Sequence, residues 1–388
     1  MPRAVYLDHA ATTPVAAEVL TAMLPFLGEH CGNPSSQHAS GRVARNAIDE
    51  ARVRVAAGIG CAPREIVFTA GGTEADNLAL RGVLQRHGSR GRHLVVTSIE
   101  HDAVLKTAER LAETGHAEVT VVDCDGRGVV DPDAVAAAVR DDTILVSVML
   151  ANNEVGTVQD VTAAVEAVKR RNPRTLIHSD AVQALGKLPI DVAALGVDLL
   201  TVSAHKVYGP KGVGALYVRQ GVVLDALVTG GGQERNRRSG TENVAGIAGF
   251  GAAAGMVDAE RDRQMPRLGA LAHRLTEEVV TAIPDTVVTG AGAPRLATFA
   301  TFAFPGTESE LLLTILDGEG VQASGGSACS SGAHMPSHVL VAMGLPMAVS
   351  SGALRCTLGR DTTEADVDRA AAVIAAAVRQ LRQALPVA

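Results

Sequence analysis

The segment LLTVSAHKVYGPKGVG, residues 199–214, contains an apolar run, then a lysine, then residues that break regular structure. Residues 199–203 predict a buried strand, and the glycines and proline from residue 209 onward predict an irregular loop. Lys206 is therefore expected at the carboxyl end of a strand. A desolvated lysine amine suits Schiff-base chemistry. This segment alone still favours a solvated surface lysine, so the rest of the chain has to decide.

Predicted strands alternate with predicted helices through most of the chain, which is typical of a mostly parallel sheet. The sequence therefore predicts an α/β fold whose large domain, residues 15–256, contains that sheet. Further on, a long charged helix at 259–282, short strands and an alanine-rich last helix predict a smaller α+β domain made of residues 1–14 and 257–388. The predicted strands of the large domain cover residues 65–70, 93–101, 117–123, 143–154, 175–184, 199–203 and 216–221.

The composition is that of an ordinary globular protein, because 47% of the 388 residues are hydrophobic and 20% are charged. The net charge of -7 argues against a nucleic-acid surface, although a local basic patch at Arg235, Arg237 and Arg238 stays open. The first residues contain no apolar stretch typical of a secretory signal. The small-apolar run at 244–257 is too short to cross a membrane and predicts a buried helix.

The five cysteines are widely spaced, odd in number and form no C-x-x-C pair. This pattern favours reduced thiols in a cytoplasmic protein over a disulfide framework or a zinc ribbon, and we expect no metal site. Cysteine commonly packs as a small hydrophobic residue, so four of the five are predicted to be buried and structural. These four are Cys31, Cys61, Cys124 and Cys356.

Glycine or polar residues follow five of the predicted strands at their carboxyl ends. In an open α/β sheet, ligands bind beyond these ends, so clusters that are distant in sequence converge on one crevice. Any one cluster alone is more typical of a helix cap or a turn, but five together favour a binding site. The clusters are Gly71-Gly72-Thr73, His101, Asn152-Asn153, Asp180 with Gln183, and Ser203 with His205 and Lys206.

The glycine cluster at 71–73 lies between a predicted strand and a predicted helix, where backbone N–H groups and a hydroxyl can hold a phosphate. A plain helix cap explains the same residues. The glycine motifs of ATP and dinucleotide sites are absent. Asp180 could be solvated or cap a helix, and it could also hold a proton on a pyridine nitrogen. With Lys206 and the stacking-capable His101, this set favours pyridoxal phosphate as the cofactor.

Eleven segments, in order, closely resemble the cysteine desulfurases of the class V aminotransferase family, which have fold type I of pyridoxal-phosphate-dependent transferases. The resemblance runs nearly from end to end. It implies an enzyme that converts L-cysteine to L-alanine and moves the sulfur onto a cysteine of its own. Among the segments are YLDHAATTP (6–14), EIVFTAGGTEADNLAL (65–80), ANNEVG (151–156), HSDAVQALGKLPID (178–191), SAHKVYGPKGVGALYVR (203–219), GGGQERNRRSGTEN (230–243), SGGSACSSG (324–332) and ALRCTLGR (353–360).

The resemblance implies a role for each matching residue around the cofactor. Lys206 would bind the cofactor covalently and accept the Cα proton. His101 would stack on the pyridine ring and serve as a proton donor or acceptor, and Asp180 would pair with the ring nitrogen. Asn152 and Gln183 would reach the ring substituents. The phosphate would be bound by Gly72, Thr73, Ser203 and His205, and by Thr241 of the other subunit of a homodimer.

The same resemblance makes Cys329 the catalytic thiol, because a thiolate there could attack the sulfur of bound cysteine and form a persulfide. Residues 324–332 are nearly all glycine, serine or alanine, which predicts an exposed flexible loop. The length of the segment after Cys329 resembles that of the housekeeping and nitrogen-fixation enzymes. Cys329 could also ligate a transferred iron–sulfur cluster. Arg355, helped by Asn33, would bind the substrate carboxylate.

The implied partners are L-cysteine, a second copy of the chain and a sulfur-acceptor protein, either an iron–sulfur scaffold or a tRNA-thiolating enzyme. No membrane or direct nucleic-acid partner is expected. Alternatives with the same fold are a selenocysteine lyase and an aminotransferase, and Cys329 in its small-residue loop argues against the aminotransferase. An alternative of another class is a catalytically silent sulfur-relay or scaffold protein. The presence of Lys206, Asp180 and Cys329 argues against it.

Overall fold

The structure, a computed structural model, describes residues 4–326 and 337–384. The strands are β1 (Val5–Tyr6), β2 (Ile66–Thr69), β3 (His93–Thr97), β4 (Glu118–Val122), β5 (Thr143–Ser147), β6 (Leu176–Asp180), β7 (Leu199–Ser203), β8 (Gly214–Val218), β9 (Val287–Val288), β10 (Phe299–Ala303), β11 (Val321–Gln322) and β12 (Ala353–Thr357). Short 3₁₀ helices cover Leu24–Leu27, Pro63–Glu65 and Ala204–Lys206.

The α-helices lie between these strands and after them. They are α1 (Ala17–Met23), α2 (Ala39–Ala57), α3 (Gly72–His87), α4 (Asp102–Glu113), α5 (Pro132–Ala137), α6 (Val161–Arg171), α7 (Val192–Leu195), α8 (Gln233–Asn236), α9 (Val244–Ala282), α10 (Ser309–Gly318), α11 (His338–Ala342), α12 (Met347–Ser350) and α13 (Glu364–Ala384). The segment α8 is a left-handed turn, because Glu234 and Arg235 have φ angles of 46° and 57°. No helix within the described ranges is long and apolar enough to cross a membrane.

The central sheet has the strand order β2-β8-β7-β6-β5-β3-β4. The pairs from β7 to β4 are parallel, whereas β8 runs antiparallel to both β2 and β7. This arrangement confirms the predicted α/β fold with a mostly parallel sheet. Because β3, β5, β6 and β7 are parallel neighbours, their carboxyl ends lie along one edge, where the predicted polar clusters meet.

Apolar side chains cover both faces of this sheet, since successive strand residues point to opposite sides. One core cluster packs α2, α6 and the first half of α9 against one face, and a second packs α3 and α4 against the other. A separate cluster joins Val5 and Leu7 to the second half of α9, β10, α10, β12 and α13. The division into 15–256 and 1–14 with 257–388 stays a prediction.

The long helix α9 differs from the sequence expectation. A buried helix at 244–257 and a charged helix from residue 259 were expected as separate elements, but one helix of 39 residues runs through both and contains Pro266. Its buried residues are dense up to Val257 and resume at Leu268, so the composition changes because the same helix leaves one apolar core and enters another. A change of composition therefore marks a change of surroundings here, not an end of the helix.

Candidate active site

A cavity of about 280 Å³ opens at the carboxyl ends of the parallel strands. Residues from the N-terminal arm, α3, the ends of four strands and β12 form its wall, which explains why no single sequence segment contains the site. A wider pocket of about 720 Å³ shares the glycine turn and the residues after β7. The predicted site residues that line the cavity are Gly72, Thr73, His101, Asp180, Gln183, Ser203, His205, Lys206 and Arg355.

Lys206 lies in the 3₁₀ turn that follows β7, and the backbone of the N-terminal arm holds its amine. The Nζ atom donates to the carbonyl oxygens of Ala10 at 2.6 Å and Ala11 at 2.7 Å. The carbonyl of Ala10 also accepts a hydrogen bond of 2.8 Å from the side-chain amide of Gln183. The lysine is thus fixed at the cavity wall, and the surface interpretation of this residue is wrong.

Asp180 is the last residue of β6, and His101 lies in the segment that follows β3. Asp180 is 5% exposed, and its Oδ1 atom accepts a hydrogen bond of 2.8 Å from the Val182 N–H. Burial raises the pKa of this carboxyl. His101 caps α4 by accepting the Ala103 N–H at its Nδ1 atom, so a neutral ring carries its proton on Nε2. Burial lowers the pKa of His101, which favours the neutral ring.

The glycine turn and the residues after β7 form a cradle suited to a phosphate. The first turn of α3 begins at Gly72, where a Cβ atom would come within 2.9 Å of the Val182 side chain. The buried hydroxyl of Ser203 has no hydrogen-bond partner among the described residues. Burial, with Lys206 and Lys211 nearby, lowers the pKa of His205 to about 4. Free N–H groups at a helix start, an unpaired hydroxyl and nearby lysines fit a dianionic phosphate.

Arg355 on β12 forms another part of the wall and is only 3% exposed. Its Nη1 donates to the Asn153 carbonyl and its Nη2 to Oδ1 of Asp8, both at 2.8 Å. The buried Nε has no hydrogen-bond partner among the described residues. The guanidinium is therefore held in one orientation with donor capacity left, as binding of a substrate carboxylate requires.

The structure corrects the position expected at Asn152. That side chain is fully buried, where it donates to the Ile99 carbonyl at 3.0 Å and accepts the N–H groups of Glu154 and Val155. Its amide closes a turn and does not face the cavity, whereas the next residue, Asn153, lines it. We therefore move the expected contact with the cofactor ring from Asn152 to Asn153.

Asn33 and Thr241 are exposed and line neither pocket. The side chain of Asn33 accepts the Ser35 N–H at 2.8 Å, which is an ordinary turn contact. Thr241 lies in the loop before α9. Within one chain, neither residue reaches the place that its expected role requires.

Cys329 lies outside the described residues. However, the residues on both sides of the segment 327–336 lie close to the Glu154 carboxylate. Ser337 donates its hydroxyl to Oε2 of Glu154. A Cβ atom on Gly326 would lie 3.0 Å from the same oxygen. Glu154 follows Asn153 in the chain, so this junction adjoins the cavity wall.

The other thiols agree only partly with the prediction that they are buried. Cys356 is fully buried and burial raises its pKa to about 12, whereas Cys61 and Cys124 are half-buried. Cys31 is exposed, so its predicted burial is wrong. The loop around it is rich in turn-forming residues, and that signal should have outweighed the general tendency of cysteine to be buried.

Sequence reasoning missed several residues that the structure brings to the site. Asp8 orients Arg355, Asp76 lines the cavity, and the carbonyl groups of Ala10 and Ala11 hold Lys206. The only local signal was the polar and small character of residues 8–13, which was interpreted as an extended arm. The role of this arm depends on contacts with residues that lie 195 or more positions away in the chain.

Comparison with known proteins places this geometry in a family. The family model for aminotransferase class-V matches residues 5–370. A cysteine desulfurase IscS from Dictyoglomus turgidum is 46% identical over 386 residues, which cover 100% of this chain and 97% of the relative. A solved structure described as a NifS-like protein has a TM-score of 0.90 at 38% identity and covers 96% of this chain and 98% of its own.

A second solved structure, described as SspA in complex with cysteine, has a TM-score of 0.80 at 34% identity, and the match covers 91% of this chain and 98% of that one. The family model and the relative both extend over nearly the whole chain, including the arm, the cavity residues and β12. The chain therefore belongs to the class-V aminotransferase family.

Proposed function

We propose that this chain is a pyridoxal-phosphate-dependent L-cysteine desulfurase, which converts L-cysteine to L-alanine and passes the sulfur on as a persulfide. The observation that carries the proposal is one cavity containing a fixed lysine amine, a buried aspartate and a buried arginine, Lys206, Asp180 and Arg355. The relatives named cysteine desulfurase over the full length, and the similar structure that contains cysteine, support the choice of substrate.

The residues present fit pyridoxal phosphate, and the unpaired Ser203 hydroxyl in the phosphate cradle is the structural observation that supports it. Gly72, Thr73, Ser203 and His205 would hold the phosphate. Asp180 would pair with the ring nitrogen, His101 would cover the ring, and Lys206 would bind the aldehyde carbon. When bound, the cofactor supplies an electron sink for the pair released at the substrate Cα.

The protein residues then divide the remaining chemistry. Arg355 holds the substrate carboxylate, and the Lys206 amine takes the Cα proton, for which its Nζ is already fixed at the cavity wall. The Cys329 thiolate forms a bond with the substrate sulfur while the Cβ–S bond breaks. The electron pair of that bond stays with the Cβ carbon, which takes up a proton and leaves as part of alanine. The sulfur remains on Cys329 as a persulfide.

The substitution Cys329→Ser tests this function. We expect the variant to keep the absorbance of the bound cofactor and to lose release of alanine from L-cysteine, because only the sulfur acceptor is removed. Cys31→Ser is the matched control, since it changes an exposed thiol outside the cavity and should leave turnover unchanged. Normal turnover by Cys329→Ser would reject the assignment.

A homodimer is part of the proposal. Leu20, Leu24 and Leu27 form an exposed apolar stripe on α1 and the following 3₁₀ turn, with exposed fractions of 46%, 56% and 64%. Their i, i+4, i+7 spacing places them on one helical face. A second copy would cover this stripe and bring Thr241 to the phosphate of the neighbouring site. Asn33, exposed outside the cavity, would gain its partner in the same way.

The final acceptor is proposed to be an iron–sulfur scaffold or a tRNA-thiolating enzyme in the cytoplasm. Both accept persulfide sulfur, and a reducing compartment agrees with the free thiols of Cys31, Cys61, Cys124 and Cys356. Incubation with L-cysteine that contains radiolabelled sulfur, followed by identification of the labelled protein in an extract, distinguishes the two acceptors. Label that stays on the chain in the presence of both acceptors would contradict this part.

A further inference from the structure

Three buried polar side chains lie between two buried carboxyl groups near the cavity. Ser147, His178 and Thr201 lie on the neighbouring strands β5, β6 and β7, on the sheet face that packs against α3. Glu100 follows β3, and Asp76 is on α3. All five are at most 1% exposed. The side chains are those of Glu100, Ser147, His178, Thr201 and Asp76, and His178 is next to both Thr201 and Asp76.

The contacts define where a proton can sit at each end. Oε1 of Glu100 accepts the Thr97 hydroxyl at 2.9 Å and the Met149 N–H at 2.7 Å, so a proton on this carboxyl belongs on Oε2. Oε2 lies 3.5 Å from the Ser147 hydroxyl. At the other end, Oδ1 of Asp76 lies 3.5 Å from Nε2 of His178. Oδ1 of Asp76 has no hydrogen-bond partner among the described residues.

His178 links the two halves. Its Nδ1 is 2.9 Å from the Ser147 hydroxyl, and its Nε2 is 3.0 Å from the Thr201 hydroxyl. Burial lowers the pKa of His178 to about 4, so the ring is neutral and has one N–H. Each hydroxyl can donate in either direction, so the chain of hydrogen bonds can point as a whole toward Asp76 or toward Glu100.

These two directions correspond to two positions of one proton. With the proton on Glu100, every group donates toward ionised Asp76, and the His178 proton is on Nε2. With the proton on Asp76, every group donates toward ionised Glu100, and the His178 proton is on Nδ1. Moving from one state to the other transfers one proton per hydrogen bond and leaves the total unchanged. Burial raises the pKa of Glu100 to about 8 and that of Asp76 to about 7, so the two carboxyls compete on similar terms.

We propose that Glu100 and Asp76 share a single proton through Ser147 and His178, and that its position decides which of these two carboxyl groups is charged near Asp180. The inference rests on the proposed function only where Asp180 pairs with the cofactor. Asp76 lines the cavity together with Asp180. A charge on Asp76 raises the pKa of Asp180, and Asp180 in turn raises the pKa of Glu100, so the position of the proton decides which carboxyl group acts on Asp180. The other titratable groups that face this region are His101, Lys206 and His338, the last of which bonds to the Glu100 carbonyl.

Glu100 and Ser147 are therefore positioning residues that act through Asp180 and do not touch the substrate. Ser147→Ala removes the link while both carboxyls remain. Ser179→Ala is the matched control, because Ser179 is an equally buried serine on β6 whose hydroxyl bonds to the Val148 carbonyl on the opposite face. Glu100→Gln keeps the shape and donates to Ser147 as protonated Glu100 does, so it fixes the chain in one direction.

The experiment measures the cofactor-loaded full chain by infrared spectroscopy, following the C=O stretch of protonated carboxylic acid against pH, and by absorbance titration of the bound cofactor. Glu100→Gln should lower the pH at which the C=O band disappears, because only Asp76, the carboxyl group with the lower pKa, remains. Ser147→Ala should split the titration of the C=O band into two steps. It should also shift the midpoint of the cofactor absorbance titration by on the order of one pH unit. Ser179→Ala should change neither.

The proposal is overturned if the band of Glu100→Gln, or that of Ser147→Ala, titrates like the band of the unchanged protein. Should Ser147→Ala fail to fold, the isosteric Glu100→Gln variant decides by the band alone. The infrared band does not depend on cysteine turnover. A chain that shows the shared proton but releases no alanine would therefore contradict the proposed function and leave the relay intact.

Discussion

The candidate site has an inner part, whose side chains are held by contacts within one chain, and an outer part, whose side chains are exposed. In the inner part, Lys206, Asp180 and Arg355 are held by hydrogen bonds within this chain, at the cavity wall. In the outer part, Asn33 and Thr241 are exposed and line no part of the cavity. One chain is thus sufficient to build the place for the cofactor ring. The outer part requires a second surface, and this is why we propose the dimer.

The energetics of the two parts differ for the same reason. Burying a charged or polar group is favourable only when partners replace water. Lys206 and Arg355 have gained such partners from distant parts of the fold, and Asp180 has gained one from the adjacent backbone. The outer residues are exposed and have no partner from a distant part of the chain among the described residues, so ordering them has to be driven by apolar contacts elsewhere. The exposed leucine stripe of α1 offers such contacts.

Lys206→Ala breaks the inner part most completely. We expect loss of covalent cofactor attachment and a fall in alanine release on the order of 10³-fold or more, because both the attachment point and the proton acceptor disappear. The absorbance spectrum of the purified protein measures the first effect. Lys106→Ala, on the exposed side of α4, is the control. An unchanged spectrum in Lys206→Ala would refute the role of this lysine.

Leu24→Asp breaks the outer part while leaving the cavity residues in place. A charge in the centre of the leucine stripe should convert the dimer to monomers, with activity reduced about tenfold or more as the neighbouring chain is lost. Analytical ultracentrifugation gives the mass. Val121→Asp changes a residue of similar exposure, 48%, on the edge strand β4 and should leave the mass unchanged. If Leu24→Asp remained a fully active dimer, the leucine stripe would not be the dimer interface.

Asp8→Ala loosens the inner part without removing a residue that binds substrate. Arg355 loses its charged partner, so we expect KM for L-cysteine to rise about tenfold with a smaller change in kcat. Asp8→Asn keeps an acceptor oxygen, so its KM should lie between that of the unchanged protein and that of Asp8→Ala. Cysteamine, which lacks the carboxylate, should bind equally well to all three proteins. A fall in kcat at constant KM would contradict the positioning role.

Thr241→Ala tests the outer part of the site and is expected to have the smallest effect of these substitutions. If the hydroxyl reaches the phosphate of the neighbouring site, its removal should weaken cofactor binding several-fold, the effect of one hydrogen bond. Titration of the cofactor-free protein with pyridoxal phosphate measures the Kd. Thr241→Ser keeps the hydroxyl and should bind as the unchanged protein does. Equal affinity in Thr241→Ala would remove this residue from the site.

Much of the inner part could be predicted because its signals are local. A buried strand followed by a lysine, or by glycines and a threonine, is recognised within one short window, and parallel strands bring such windows together. The sequence does not say which of the adjacent Asn152 and Asn153 faces the cavity, and in the structure Asn153 lines it while the Asn152 amide closes a turn. The prediction at Cys329 stays untested, since it lies outside the described residues.

By itself, the sequence determined the α/β class, the family resemblance and the identity of most residues at the cavity, because these depend on local pattern and on spacing along the chain. Only the tertiary structure decided which groups touch. Asp8 and Arg355 are 347 residues apart, and the buried row from Glu100 to Asp76 exists because β3, β5, β6 and β7 are neighbours. Hydrogen bonds and charge interactions depend on distance in space, and strand order sets that distance.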